Sequence, residues 1–439
     1  MLSSISFAAD SDYLSEEALV TRALTRNPGT VSRGAVFNEE MGAANSKATM
    51  ELSDLHESFY DRFIASVGEW PWLENWNEHW SLVFPDWYGG RYINQDQNAV
   101  VMVTRLDRDI MSYIWDITGN KEILIKVVEY SHAELMTAMD SLMDVFNSQR
   151  IGQYAPELRL DDSNNKIVVS LFTDEENMSI ASADEAYIEG DFKDYLVIIL
   201  HEALNSARNI DTAMIDYELV TDRPVSASNP GAPVGATVAS SVVGANNSTS
   251  IGYRATRGGV PGLLTTGHHT WGNVDVYSRG VSSKLGTITI VLRGTSVDFS
   301  FIKTVSTNPS RAIDGGVIFN ASSHTTSSFT ASAGSRVGMS GQQITSSIYG
   351  GGATLHQVIS TSGTHSGLVN LVITAPVSGY QNAAPGDSGG IVFDVSPLDG
   401  GVIAGRVAGI IVATIAGGAP QTMYCTHSHM NMQGAIVLP

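Results

Sequence analysis

The 439-residue chain predicts an α+β region over residues 1–222, a connector over 223–249 and an all-β region over 250–439. Three contrasts predict this division. Residues 1–222 hold 39 of the 45 acidic and 15 of the 25 basic residues, a balance of −24, while the rest of the chain carries +4. Glycine is split nine to thirty-three in favour of the later part, and six of the seven tryptophans fall in the earlier one. Apolar residues recur at three- and four-residue spacing in the first region, and in short alternating or continuous runs in the last. At this length each region can bury a core of its own.

Helix-period spacing opens the first region. Ser15 before Glu16-Glu17 is an expected N-cap ahead of Leu19, Val20, Ala23 and Leu24. Leu52, Leu55, Phe59, Phe63 and Ile64 repeat the spacing over 50–64. Trp70, Trp72, Trp76 and Trp80 form a cluster, read as the core of a small domain in preference to a carbohydrate platform. Residues 86–94 and 99–104 read as strand, polar turn and strand. Strands are expected at 123–130, 166–172 and 196–200, and an amphipathic helix at 133–146, which together make a compact α+β domain. His201-Glu202-Ala203-Leu204-Asn205 ends in asparagine where a zinc-binding helix needs its second histidine, so His201 is read as structural. Asp174-Glu175-Glu176 is read as a solvated loop or helix N-terminus in preference to a calcium site. The stretch 222–249, full of Ser, Ala, Gly, Pro and Asn, is an expected exposed connector in which a precursor could be cut.

Beyond residue 250, strands are expected at 287–292, 316–319, 335–339, 367–374, 390–394, 405–415 and 422–424, the spacing of a sandwich or barrel. Before one of them stands Ala384-Pro385-Gly386-Asp387-Ser388-Gly389-Gly390. A nucleophilic hydroxyl needs N–H donors beside it to hold the oxyanion of a tetrahedral intermediate. Gly386 lets the chain curl so that its N–H and that of Ser388 can point at one spot. Gly389 and Gly390 leave room for a substrate backbone, the alternative being a plain Gly/Asp/Ser turn. Thr265-Thr266-Gly267-His268-His269 follows the buried apolar run 260–264, and Asp298 lies in the tight alternation of 296–302. A base that takes a serine proton needs a third group to fix its tautomer, and a carboxylate does so. The chain order His268, Asp298, Ser388 differs from the Ser–Asp–His and Asp–His–Ser orders of two unrelated triad folds.

On these residues the chain resembles the chymotrypsin-like serine proteases of the bacterial streptogrisin and alpha-lytic protease type. Ser250-Ile251-Gly252-Tyr253-Arg254-Ala255-Thr256, the histidine segment, Asp298-Phe299-Ser300-Phe301-Ile302 and the Ser388 motif carry the resemblance, which spans roughly 235–439. It implies an all-β double Greek-key barrel, two six-stranded barrels with the active site between them. His268 would be general base and then acid, Asp298 its orienter and Ser388 the nucleophile, with the N–H groups of Gly386 and Ser388 as the oxyanion hole. Tyr88-Gly89-Gly90-Arg91-Tyr92-Ile93, followed by a run of valines, resembles a unit of alpha-lytic-type pro-regions. Residues 1–222 are therefore expected to be a pro-domain, an intramolecular inhibitor and folding aid. Many non-local pairings of glycine-rich strands fold slowly, and an acidic partner could template them. The expected function is a serine endopeptidase made as a precursor, acting on protein or peptide substrates without cofactor or metal. Two alternatives are a catalytically inactive binding or adhesion protein of the same fold and a cytoplasmic regulatory protease.

The sequence departs from the pattern in places. Relatives place an arginine shortly before a Ser-Gly pair to neutralise the buried aspartate at the position of Asp387. Here Arg336-Val337-Gly338-Met339-Ser340-Gly341 has methionine there, and Arg336 is the candidate substitute. Asn382, Ala383 and Val412 are the expected substrate-binding residues. The pocket base holds no acidic residue and Val412 replaces a frequent serine, so small or apolar side chains are expected beside the scissile bond. His427 and His429 are expected on one strand face, without partners for a metal. His268 is preferred over His269 as base. No basic cluster suits nucleic acid, and no run of 18 apolar residues suits a membrane helix. The acidity permits attraction between the halves or serves solubility alone. A single cysteine, Cys425, allows no intrachain disulfide. Residues 1–9 resemble the tail of a signal peptide lacking its charged and apolar parts, read as a truncated secreted precursor.

Overall fold

A computed structural model describes residues 39–67, 80–183, 187, 191–207, 210–221, 225–226, 237–240, 248–268, 274–278, 284–294, 297–306, 309, 325–341, 344, 353–384, 386–395, 405–415, 420–434 and 436–438. The helical spacing at 50–64 belongs to a helix, Glu39–Val67, which buries Ala48, Leu52, Leu55, Phe59 and Phe63 along one stripe. A three-stranded sheet follows, with Tyr88–Ile93 antiparallel to Ala99–Val103 and the latter parallel to Leu124–Val127. The helix His132–Ser148 starts in a capping box, the Ser131 hydroxyl accepting from the Glu134 N–H while the Glu134 carboxylate accepts from the Ser131 N–H. Asp174 caps the helix Glu175–Ser182, the helix-N-terminus alternative for that acidic run. Trp80 is buried and its indole donates to Asp140 at 2.7 Å, a core role; Trp70, Trp72 and Trp76 lie outside the described residues, as does the segment 10–38.

One expected strand is a helix. Residues 196–200 lie inside Phe192–Ser206, where Tyr195, Leu196, Ile199, Leu200, Ala203 and Leu204 are buried. A five-residue apolar run fits either element, and the flanking three- and four-residue repeat decides for helix.

The last region is built from two antiparallel β bodies. Strands Arg336–Ser340, Ile391–Asp394, Val407–Ile415, Gln421–Thr426, Leu368–Pro376 and Thr354–His365 pair in that order, and the first also pairs with the last. They form a closed six-stranded barrel. The other body is an eight-stranded sheet ordered Ile436–Val437, Arg254–Arg257, Val260–Thr265, Asp298–Thr304, Lys284–Arg293, Val274–Ser278, Thr237–Ser240 and Ser248–Ser250. Its six longer strands match the expected second barrel, and its outer members are segments of two and three residues. Ala255, Leu264, Phe299 and Phe301 of this sheet share one core with Phe393, Ile410, Val412 and Met423 of the barrel. The architecture is the expected all-β double barrel preceded by an α+β region. The expected strand at 316–319 lies outside the described residues.

Two further expectations are corrected. The connector is not uniformly an exposed coil: Val225–Ser226 and Thr237–Ser240 are strands, the first antiparallel to Val407–Ile415 and the second to Val274–Ser278. Backbone pairing at a sheet edge needs no hydrophobic pattern, so composition concealed it. His427 and His429 belong to a helix, His427–Gly434, and share no strand face.

The two regions are joined through backbone and polar contacts. Gly363 of the barrel pairs with Arg159, so the strands Glu157–Asp161, Lys166–Phe172 and Ile215–Val220 continue the barrel sheet. The Asp162 carboxylate accepts from the Thr361 N–H at 2.9 Å and its hydroxyl at 2.6 Å, and His365 pairs with Glu157 at 2.9 Å.

Candidate active site

Strand register brings the first two candidate residues together. Thr265 lies opposite Ser300 in the antiparallel pair, so the chain running on past Thr265 meets Asp298 at the start of the partner strand. There Nδ1 of His268 makes a short hydrogen bond with Oδ2 of Asp298. The Thr266 hydroxyl donates to the same oxygen at 2.8 Å and lies 2.6 Å from the ring nitrogen. Asp298 is 2 % exposed, while the His268 side chain is 23 % exposed, so a buried carboxylate holds a ring that solvent can reach. Gly267 is required at this crossing: a Cβ would stand 2.8 Å from both Oδ1 of Asp298 and the Leu292 carbonyl.

Ser388 sits on a turn clamped from three sides. Gly386 and Gly389 take φ of 111° and 85°, the left-handed region that glycine enters without cost. The Ser388 carbonyl accepts from the Ser250 N–H at 2.9 Å and the Thr249 hydroxyl at 2.6 Å. The Ser250 hydroxyl donates to the Gly386 carbonyl at 2.8 Å, and the Gly389 N–H donates to Ile411 at 2.8 Å. A Cβ on Gly389 would come within 2.5 Å of the Thr265 hydroxyl and 2.9 Å of the Thr266 nitrogen. The serine turn therefore presses on the strand end that carries His268. Ser388 itself is 1 % exposed, and its hydroxyl donates to the Val412 carbonyl at 3.1 Å.

Asp387 is fully buried, and its carboxylate accepts from the Ala384 N–H at 2.8 Å and the Ile344 N–H at 3.1 Å. The expected pairing with Arg336 is not what the fold builds. Gly341 touches Asp387, whereas Arg336 lies five residues back along the same extended segment, roughly 16 Å away at about 3.3 Å per residue. Oriented amides thus contribute at the carboxylate.

Of the substrate-pocket candidates, Ala383 and Val412 are buried and Asn382 is half-buried. The Asn382 amide donates to the Thr414 hydroxyl at 2.7 Å, the Ile415 carbonyl at 2.8 Å and the Gln421 carbonyl at 3.1 Å, and its oxygen accepts from the Thr422 hydroxyl at 2.8 Å. His427 bonds the Tyr253 hydroxyl at 2.7 Å, and His201 is exposed on its helix against Tyr217. Among the described residues no three His, Cys, Asp or Glu side chains are placed to hold a metal ion.

Two participants escaped the sequence. Thr266 supplies a hydroxyl to Asp298, and its only signal was a threonine two places before the histidine. The strand Val225–Ser226 lies on Ala413 and Thr414, immediately beside Val412, with no motif to mark it.

Residues 38–128 match the family described as the Pro-like N-terminal domain. About half of the chain is similar to solved protease structures. They include the Nocardiopsis protease NAPase, at 20 % identity over 47 % of this chain and 97 % of that one with a TM-score of 0.35. Protease A of Thermobifida fusca gives 18 %, 47 %, 96 % and 0.34, and the Cellulomonas bogoriensis chymotrypsin 17 %, 47 %, 97 % and 0.34. No curated protein matches the chain.

Proposed function

We propose that the chain is the precursor of a serine endopeptidase, with residues 1–222 as pro-region, 223–249 as the connector that is processed and 250–439 as the protease. The observation that carries this reading is the His268–Asp298 pair, bonded at the strand end against which the Ser388 turn is packed. On substrate entry the Ser388 hydroxyl leaves Val412 and turns to the imidazole. His268 takes its proton as the oxygen attacks the scissile carbonyl, and Asp298 with Thr266 holds the tautomer and stabilises the imidazolium. The N–H groups of Gly386 and Ser388 receive the oxyanion. His268 then protonates the leaving amine, and water, deprotonated by the same ring, releases the acyl group.

The connector supports the precursor reading. Val225–Ser226 lies antiparallel on Thr414 and Ala413, as the main chain of a substrate would by strand addition. On that reading the bond to be cut would follow within two residues of Ser226. Export from the cell fits such a precursor, and no helix among the described residues is long and apolar enough to cross a membrane. Ser388→Ala should abolish casein hydrolysis and leave the chain uncut with its fold unchanged. Parental hydrolysis by that variant would sink the proposal. N-terminal sequencing of the active form should give a start between 227 and 229; an intact Met1 on fully active protein contradicts the precursor reading.

A second reading, an inactive binding protein of the same fold, is favoured by the Ser388 hydroxyl's bond to the Val412 carbonyl. Reactivity of Ser388 toward a fluorophosphonate separates the two.

A further inference from the structure

We infer that Thr414 and Asn382 close the pocket beside Ser388, so that only peptides with Ala, Gly or Ser on the acyl side of the scissile bond are cut efficiently; this rests on the proteolytic reading above. Val225 lies opposite Thr414 in the antiparallel pair, and a substrate residue taking that place in the ladder would face the same side as Thr414. A substrate residue two positions further on, level with Ser388, returns to that face. Its side chain must therefore enter the space between the strand carrying Thr414 and the segment 382–384.

That space is already occupied. The fully buried Thr414 hydroxyl donates to the Ala383 carbonyl at 2.9 Å and accepts from the Asn382 amide at 2.7 Å. Thr422, opposite Thr414 and also fully buried, donates to the Asn382 oxygen at 2.8 Å. These bonds tie the two walls together at the depth a long side chain would have to reach. Forcing them apart would leave the Ala383 carbonyl without its Thr414 donor and take one of three acceptors from the Asn382 amide, a penalty set against what a bulky side chain recovers by burial. The connector agrees in composition: its residue two positions after Val225 is Ala227.

The test uses the full chain after it has processed itself, with active sites titrated by a fluorophosphonate and kcat/KM measured on Ala-Ala-Pro-Xaa p-nitroanilides. The parent should prefer Ala over Phe about 100-fold or more, the size of effect a filled pocket gives. Thr414→Ala should cut that ratio at least about tenfold by raising the rate on Phe, and Thr414→Ser should keep it, since the hydroxyl bridge survives. A parent that cleaves Phe as fast as Ala, or a Thr414→Ala protein with the parental ratio, overturns the inference. Should Thr414→Ala fail to fold, the parent's cuts in denatured casein decide: small residues before most cuts support closure, and bulky ones refute it. Parental protein that is never labelled at Ser388 strikes the proteolytic reading itself and takes this inference with it.

Discussion

Thr266 is the residue whose role the geometry adds to the expected three. Its hydroxyl and the His268 ring share one oxygen of a buried carboxylate, so it orients the pair without touching substrate. Losing a hydrogen bond to a buried charged group costs about 1.5–3 kcal/mol. Thr266→Ala should therefore lower kcat/KM about tenfold or more, chiefly in kcat, and alter the acid limb of the pH–rate profile. Thr266→Ser should restore both, and a profile identical to the parent's in the alanine variant would assign Thr266 to packing alone. The types of His268, Asp298 and Ser388 were read from acyl-transfer chemistry, and their chain order added the resemblance, since the chemistry itself is served by several orders. Thr266, Asn382 and the amides at Asp387 were not, because their roles depend on strand register and on contacts between residues distant in the chain. Arg336 was misjudged for the same reason: its type suited a counter-charge, but the extended segment carries it out of reach.

At the scale of elements, periodic patterns long enough to show their repeat were readable, and short ones were not. The helix around Leu52–Phe63 and the strands from Lys166 to Phe172 and Val407 to Ile415 matched expectation closely. The helix Phe192–Ser206 was mistaken for a strand where its apolar run is densest. Val225–Ser226 was invisible because two residues make no pattern, yet it pairs with Thr414 and Ala413 beside Val412. Proline has no N–H to give a ladder and is excluded from paired strand interiors. Changing both Val225→Pro and Ser226→Pro should slow processing of the connector at least about tenfold, while a small fluorophosphonate still labels Ser388. Processing at the parental rate, followed on gels, would show that this pairing does not present the bond that is cut.

Across the whole molecule, charge and glycine contrasts revealed two regions but not how they meet. Between them lies a cavity of about 50 Å³ bordered by His56, His132 and His429, with Arg91, Asp162, Tyr60 and Tyr88 also facing it. Burial drives His56 well below the ordinary imidazole range, His132 to about 3 and His429 to about 4, with Arg91 lowering the first two further. Once the halves separate, these rings regain an ordinary value of about 6.5. The docked state holds them neutral, so its stability is fully present above about 6.5 and is lost as pH falls from there toward 4. Burial pushes Asp162 the other way, up to about 6, and raises Glu57 and Asp54, so these carboxyls bind protons first in the docked state and oppose the loss. Three imidazoles outweigh one carboxyl near 6 between pH 6.5 and 5. The Kd of the cut pro-region for the protease half should rise about tenfold or more between pH 7 and pH 5. A Kd that is flat or falls over that interval would show that the rings stay buried after separation.

The most direct measurement is the mass-spectrometric location of a fluorophosphonate adduct on the purified full chain. The account predicts one adduct, on Ser388, lost when His268 is replaced by alanine although the fold is retained. A folded protein that takes up no reagent at Ser388, or takes it up equally without the imidazole, would contradict it.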